Sequence, residues 1–226
     1  MKNYNYIIFL IVLLITVGCN KSKSDLVARF ENEPITTSEL KYWMLLEKAN
    51  VYSYFYRKYG VVDSKHFWTQ EQGDEIPLER LKEIALEKAK RCKIQQILAI
   101  EQGIIKTTNF DEIVEEMGKV NEDRKLRVKK GEPIYGPVQF TTRTYFAYVF
   151  DKMVIELKNE LSKHELKPGK EELMVMQKNT GQVSGDNTGF LTMQYVDVNY
   201  DSYIDKLMSR ASIRVNEDVY KNISLE

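Results

Sequence analysis

Two histidines, two cysteines and one carboxylate-rich stretch are the first places to look for chemistry in this chain. A Ser-His-Asp or Cys-His hydrolytic pair needs a histidine base beside its nucleophile. His66 falls in a polar loop, and His164 falls near a helix end, where histidine commonly complements the dipole; neither belongs to a motif. The stretch "DEIVEEMGKVNED" sets Asp111, Glu115 and Glu122 at helical spacing, which reads as a solvated face and not as a metal cage. "GQVSGDNTG" lacks the lysine and the following helix that a phosphate-cradling loop requires. Cys92 lies on an apolar stripe and reads as a small buried hydrophobe. The sequence therefore predicts no catalytic residue, no metal site and no cofactor.

Cys19 has a different chemistry. The apolar run from Tyr6 to Val17 ends at Gly18-Cys19 and gives way to "NKSKSD". At about 12 residues it falls well short of the roughly 20 that a membrane-spanning helix needs. With Lys2 before it and a small residue at its end, it reads as a secretory signal with a processing site. Thr16-Val17-Gly18-Cys19 resembles a bacterial lipobox, which implies that Cys19 is acylated and holds the protein on the outer face of the cytoplasmic membrane, in a Gram-positive type of envelope. The alternatives are an uncleaved anchor or an ordinary signal peptide. Acylation suits a stable anchor, because each buried methylene contributes about 0.8 kcal/mol and two or three chains hold more firmly than one. The expected organisation is a signal peptide over 1–18, a tether over 19–25 and one domain over 26–226, closed by 189–226.

Composition narrows the partners. Lys2 is the only charged residue before Cys19, so removing residues 1–18 leaves 32 basic residues against 33 acidic ones. That balance argues against a nucleic-acid partner, which requires a basic face. With Cys19 assigned to lipid, Cys92 has no disulfide partner within the chain.

The elements that would position any site are mainly helices. "LVARFE" alternates as a short strand, and Pro34 marks a turn after it. Thr36 and Glu39 have capping-box spacing, with Ile35 and Leu40 placed as a hydrophobic staple. A helix from Thr37 to Tyr59 then ends at Gly60. A polar loop around Phe67 and Trp68 leads to Pro77, the first residue of a helix ending near Gly103, with a buried stripe of Leu78, Leu81, Ala85, Ala89 and Cys92. Asn109 caps a third helix from Phe110 to about Lys130, with Ile113, Val114, Met117 and Val120 on one face. After the hinge "GEPIYGPVQF", Thr141 or Thr142 starts a fourth, striped by Phe146, Val149, Phe150, Met153, Leu157 and Leu161. "LKPGKEELMVMQKN" predicts a breaker and a short helix, and Thr180–Gly189 a loop. "FLTMQYV" predicts a strand, "YDSYIDKLMSRA" a helix, and "SIRVN" a strand before a last helical turn. "LVARFE" and "SIRVN" each lack a partner near in sequence, so the expected fold is mainly α with a small sheet pairing the two ends of the chain.

Four stretches carry a family resemblance. "VARFENEPITTSEL" is similar to the opening of SurA- and PrsA-type extracytoplasmic foldases, although Asn32-Glu33-Pro34 lacks their glycine. "IPLERLKEIALEKAKRCKIQQILAIEQGI" resembles the second helix of their chaperone domain, and "ELKPGKEELMVMQKN" the helix leading into their isomerase domain. "NEDRKLRVKKGEPIYGPVQFTTRTYFAYVFDKMVIELKNEL" is similar to the later helices in Gram-positive lipoproteins of this group. The resemblance implies a parvulin-type isomerase domain after Asn179, but the 47 residues there are too few for one, and most resemble the chaperone domain's closing segment. The parvulin isomerase domain and its paired histidines are thus expected to be missing. The resemblance implies a chaperone or foldase that shelters unfolded or partly folded exported polypeptides in an apolar groove. Trp43, Met44, Tyr52, Tyr54, Phe55, Tyr56, Trp68, Tyr145 and Tyr148 are the candidate contacts. Tyr52, Tyr54, Phe55 and Tyr56 circle most of the first helix, so some must lie exposed or beneath the "HFW" loop. The competing readings are a lipoprotein for one dedicated cell-envelope partner and an active prolyl isomerase.

Overall fold

A computed structural model describes residues 25–62, 64–180 and 187–225. The signal segment, Cys19, most of the tether and much of the loop after Thr180 lie outside the described residues. Within them the protein is mainly helical, with seven helices and one three-stranded antiparallel sheet made by the N- and C-terminal segments.

Strand β1 (Leu26–Phe30) is the middle strand of the sheet, between β2 (Glu33–Thr36) and β3 (Ile213–Val215). The pairing expected between the chain ends is present: Arg29 lies opposite Arg214 and Phe30 opposite Ile213, and the Asn216 N–H donates to the Val27 carbonyl at 2.8 Å. Strand β2 departs from the sequence reading, which placed only a turn there. Pro34 is compatible with it because β2 is an edge strand, where a missing N–H need not interrupt a ladder. An irregularity between Leu26 and Ala28 lets the adjacent Val27 and Ala28 both be buried. Glu31, in the turn between β1 and β2, has φ 53°, a left-handed conformation that glycine adopts more readily. Ser212 braces it from the other end of the chain: the Glu31 N–H donates to the Ser212 carbonyl at 2.9 Å, and the Ser212 N–H donates to Glu31 Oε1 at 2.6 Å.

Helix α1 (Thr37–Tyr59) starts at Thr36, whose hydroxyl accepts from the Glu39 N–H at 3.3 Å, and stops at Gly60, with φ 68°. The capping box is only half made, because the Glu39 side chain turns inward to Lys93 instead of back to the cap. Helix α2 (Pro77–Glu101) begins with proline as expected and packs along α1. Helix α3 (Phe110–Lys129) is capped by Asn109, whose side chain accepts from the Asp111 N–H at 3.0 Å. Helix α4 (Thr142–Leu161) has a reciprocal cap between Thr141 and Thr144. Helices α5 (Lys170–Thr180), α6 (Thr188–Met208) and α7 (Glu217–Lys221) complete the chain.

Helix α6 corrects the expected strand "FLTMQYV", which forms its first turns. The buried residues Leu191, Val196, Tyr200 and Ile204 recur near helical spacing, whereas Phe190 and Val198 are exposed. A short apolar run does not by itself distinguish a strand from a buried helix segment.

Three apolar clusters hold these elements together. One joins β1 and β2 to α2, α4 and α6 through Phe30, Ile35, Leu98, Leu157 and Val196. A second packs Val27, Leu40, Phe55, Phe67 and Leu81 with Ile223 from the C-terminal tail. The third, smaller, consists of Tyr42, Cys92, Phe110 and Phe146. Half-buried Trp43 packs against all three. Ile35 and Leu40, expected to form a staple, belong to different clusters.

Candidate functional site

Residues of α3 and α4, with Gln96 of α2 and the segment after that helix, line a groove of about 410 Å³. Its apolar lining comes from α4 (Tyr145, Phe146, Val149, Phe150 and Met153), Ile105 after α2 and Ile113 on α3. The α4 stripe is wider than the core requires. Phe146 and Met153 are buried, while Val149 and Phe150 are only half covered and line the groove. Phe150 stacks on Phe146 with centroids 5.9 Å apart, and Phe146 rests on Tyr42 and Phe110 at 5.1 and 5.4 Å. The floor is therefore backed by packed aromatic rings.

The rim carries charge. Glu112, Glu115, Glu116, Lys106 and Lys119 border the groove. The Lys119 ammonium lies 3.1 Å from Glu115 and 3.8 Å from Glu116. Glu112 accepts hydrogen bonds from Thr107 Oγ1 at 2.7 Å and Asn109 Nδ2 at 3.1 Å, which ties the start of α3 to the loop before it. Burial, aided by the Glu116 carboxylate, pushes the Tyr145 hydroxyl above its ordinary range.

Gln96 of α2 lines the same groove, and the sequence reading did not single it out. It is 3% exposed, and its Oε1 has no hydrogen-bond partner. Its neighbour Gln95 shows the alternative: Tyr200 donates to Gln95 Oε1 at 2.8 Å, and Gln95 Nε2 donates to the Arg91 carbonyl at 2.8 Å. The run "KIQQILAI" signals two amides among apolar residues, but not which of them lacks a partner.

Next to this region lies a buried ion pair between Glu39 of α1 and Lys93 of α2, 2.9 Å apart and almost wholly shielded from water. Lys93 also donates to the Thr108 carbonyl, and the Thr108 hydroxyl donates to Glu33. One polar seam thus connects β2, α1, α2 and the approach to α3. Burial pushes the Glu39 carboxyl up to about 7, outweighing the opposite pull of Lys93. Burial also raises the Cys92 thiol, as expected of a core cysteine.

The nine candidate contacts do not share one groove. Met44 and Phe55 are buried in the second cluster and unavailable to a ligand in the folded chain. Tyr52 and Phe55 pack against Phe67, so the "HFW" loop covers that side of α1, while Tyr56 is exposed. The Tyr54 hydroxyl donates to Glu75 at 2.8 Å, as does Tyr59 at 2.9 Å, with Lys58 and Arg80 completing the shell around that carboxylate. These bonds, that from Lys58 foremost, hold the Glu75 carboxyl down at about 2. Trp68 is half-buried against Phe67, and the buried indole N–H of Trp43 has no partner. Exposed Tyr148 stacks on Phe140, and only Tyr145 of the nine lines the groove. His66 and His164 are both exposed. Asp111 accepts from Ser38, Glu115 pairs with Lys119 and Glu122 with Lys125, so the carboxylates of α3 do not converge. Among the described residues no group of histidine, cysteine, aspartate and glutamate could hold a metal ion, and no helix is long and apolar enough to cross a membrane. Compared with models of known families, with curated proteins and with solved structures, the chain matches none of them.

Proposed function

We propose that this protein is a membrane-anchored extracytoplasmic chaperone that holds apolar segments of unfolded exported polypeptides and has no prolyl isomerase chemistry. The observation that supports it is the open groove between α3 and α4, apolar within and charged at the rim. Such a cleft buries an apolar segment while its rim stays in water, so capture stabilises the client without a covalent step. Further apolar side chains stand in solvent on α5 and α6, namely Met174, Val175, Phe190 and Val198. They offer adaptable secondary contacts.

The test is suppression of aggregation of several unrelated unfolded proteins by the full chain in lipid nanodiscs. The expected result is protection of most of them, lowered at least several-fold by Val149→Glu, which puts a charge into the groove. Protection of none, or of one protein alone, overturns the reading in favour of a dedicated partner. Cis/trans interconversion of a proline peptide is expected to proceed at its uncatalysed rate.

A further inference from the structure

An unpartnered carbonyl inside a folded protein is rare, because leaving it unmade costs about 1–3 kcal/mol. Gln96 places one such amide at the groove, beside a neighbour whose amide is partnered through both its oxygen and its nitrogen. The terminal torsion of glutamine is broad and two-fold, so a modest rotation presents either its carbonyl or its NH₂ to an occupant. A helical segment has already spent its main-chain groups internally, whereas an extended one offers both an N–H and a C=O. The rim adds a sign, since its three carboxylates (Glu112, Glu115, Glu116) outnumber its two ammonium groups (Lys106, Lys119) by one negative charge.

We infer that the groove takes an apolar peptide segment in extended form, flanked by a basic residue, and that Gln96 hydrogen-bonds its main chain. This rests on the chaperone reading above and makes that reading selective. Gln96 is then the residue that prefers unfolded chain over a preformed amphipathic helix, because the helix could fill the apolar groove but not satisfy the amide.

The experiment uses the full chain in nanodiscs and a labelled, end-blocked nonapeptide of Leu, Val and Phe with lysine at each end, with binding read by fluorescence anisotropy. Each backbone amide of the peptide is replaced in turn by an ester, which removes one N–H and weakens one carbonyl. One position is expected to lose about 5- to 10-fold in affinity on the unmodified protein, the worth of a single hydrogen bond. On Gln96→Leu that loss should vanish. A peptide with glutamate ends should bind several-fold more weakly at low salt, with the gap closing as salt is raised. A flat ester scan on the unmodified protein overturns the inference, even if Gln96→Leu does not fold. Binding that Val149→Glu abolishes but no ester affects would leave the chaperone reading standing and this one refuted. Absence of any peptide binding would refute both, and displacement by a fatty acid with no ester effect would make the groove a lipid site.

Discussion

Glu39 shows how a single residue can satisfy two readings of its position and follow the less visible one. Its spacing from Thr36 marks a capping box, and the backbone half of that box exists, yet its carboxylate turns to Lys93. Local spacing made the helix start legible. The buried partner 54 positions away was not, because nothing in the local pattern of a lysine distinguishes a snorkelling residue from a buried one. Lys93→Met should destabilise the fold by about 3–5 kcal/mol in denaturant unfolding, since it leaves Glu39 shielded and unpaired. The pH dependence has a definite sign. Because the carboxyl is raised from 4.5 to about 7 in the folded state, the native protein binds more protons than the unfolded chain between those values, and this group's stabilisation, complete below about 4.5, is lost as pH rises through 7. The stability deficit of Glu39→Gln relative to the unmodified protein should accordingly narrow between pH 5 and 8; a deficit that widens would show that Lys93 outweighs burial. Gln96 was illegible for a related reason, since satisfaction of an amide is a property of its surroundings and not of its type.

Helices with a start signal in the sequence were legible. Thr36 and Gly60 bound α1, Pro77 opens α2, and Asn109 and Thr141 open α3 and α4, each by satisfying or omitting a donor that a helix leaves free. Helix α6 was misread because "FLTMQYV" carries β-branched and aromatic residues and alternates over Leu191, Thr192, Met193 and Gln194. Its two valines now discriminate the alternatives. In a strand carried two residues past "FLTMQYV", Val196 and Val198 would share a face, but here Val196 is fully buried and Val198 is 74% exposed. Val196→Ala should lower stability by about 1–3 kcal/mol, and Val198→Ala should change it by less than about 0.5 kcal/mol. Equal effects of the two, measured by urea denaturation, would contradict the helix. Aromatic crowding on α1 was also legible, and the loop over Tyr52 and Phe55 answers it. That loop is closed by Glu75 and fitted by Gly73, where a side chain would meet the Tyr59 ring at 2.6 Å. The sequence did not show this closure, since a single glutamate in a polar loop carries no sign of the two tyrosines it binds.

At the scale of the whole molecule, two strand-like segments with no partner recognisable near them in sequence indicated that the chain's ends meet; they do, although β1 also has a local partner in β2. The tail does more than complete a sheet. Ile223 is buried beside Val27 and Leu40, and the Lys221 carbonyl accepts from the Lys82 ammonium, which is otherwise shielded from water, at 3.0 Å. Deleting everything after Met208 would strip β1 of a neighbour, leave Glu31 unbraced and remove one of the bonds to a buried lysine. Its melting temperature should fall by more than about 10 °C, given 2–4 °C per kcal/mol for a chain of this size. A shift under about 3 °C would mean that the tail is an appendage. The groove was the least legible feature at this scale. The residues of α4 that line it were visible as an apolar stripe, but a stripe that meets another helix and one that faces a gap have the same spelling.

The joining of the two ends also fixes an order of events. A ribosome releases β1 early and β3 only near the end, and Phe30 cannot find Ile213 until more than 180 intervening residues have been made. Until then the β1–β2 hairpin stands alone, and a two-stranded hairpin is marginal in water. Contacts so distant in sequence come late, because the loop must close before they contribute. A nascent chain stopped short of Ser212 should be more open to protease along β1 and β2 than the finished one, in which β3 closes on β1. The strand that begins the fold is thus secured by some of the last residues to be synthesised.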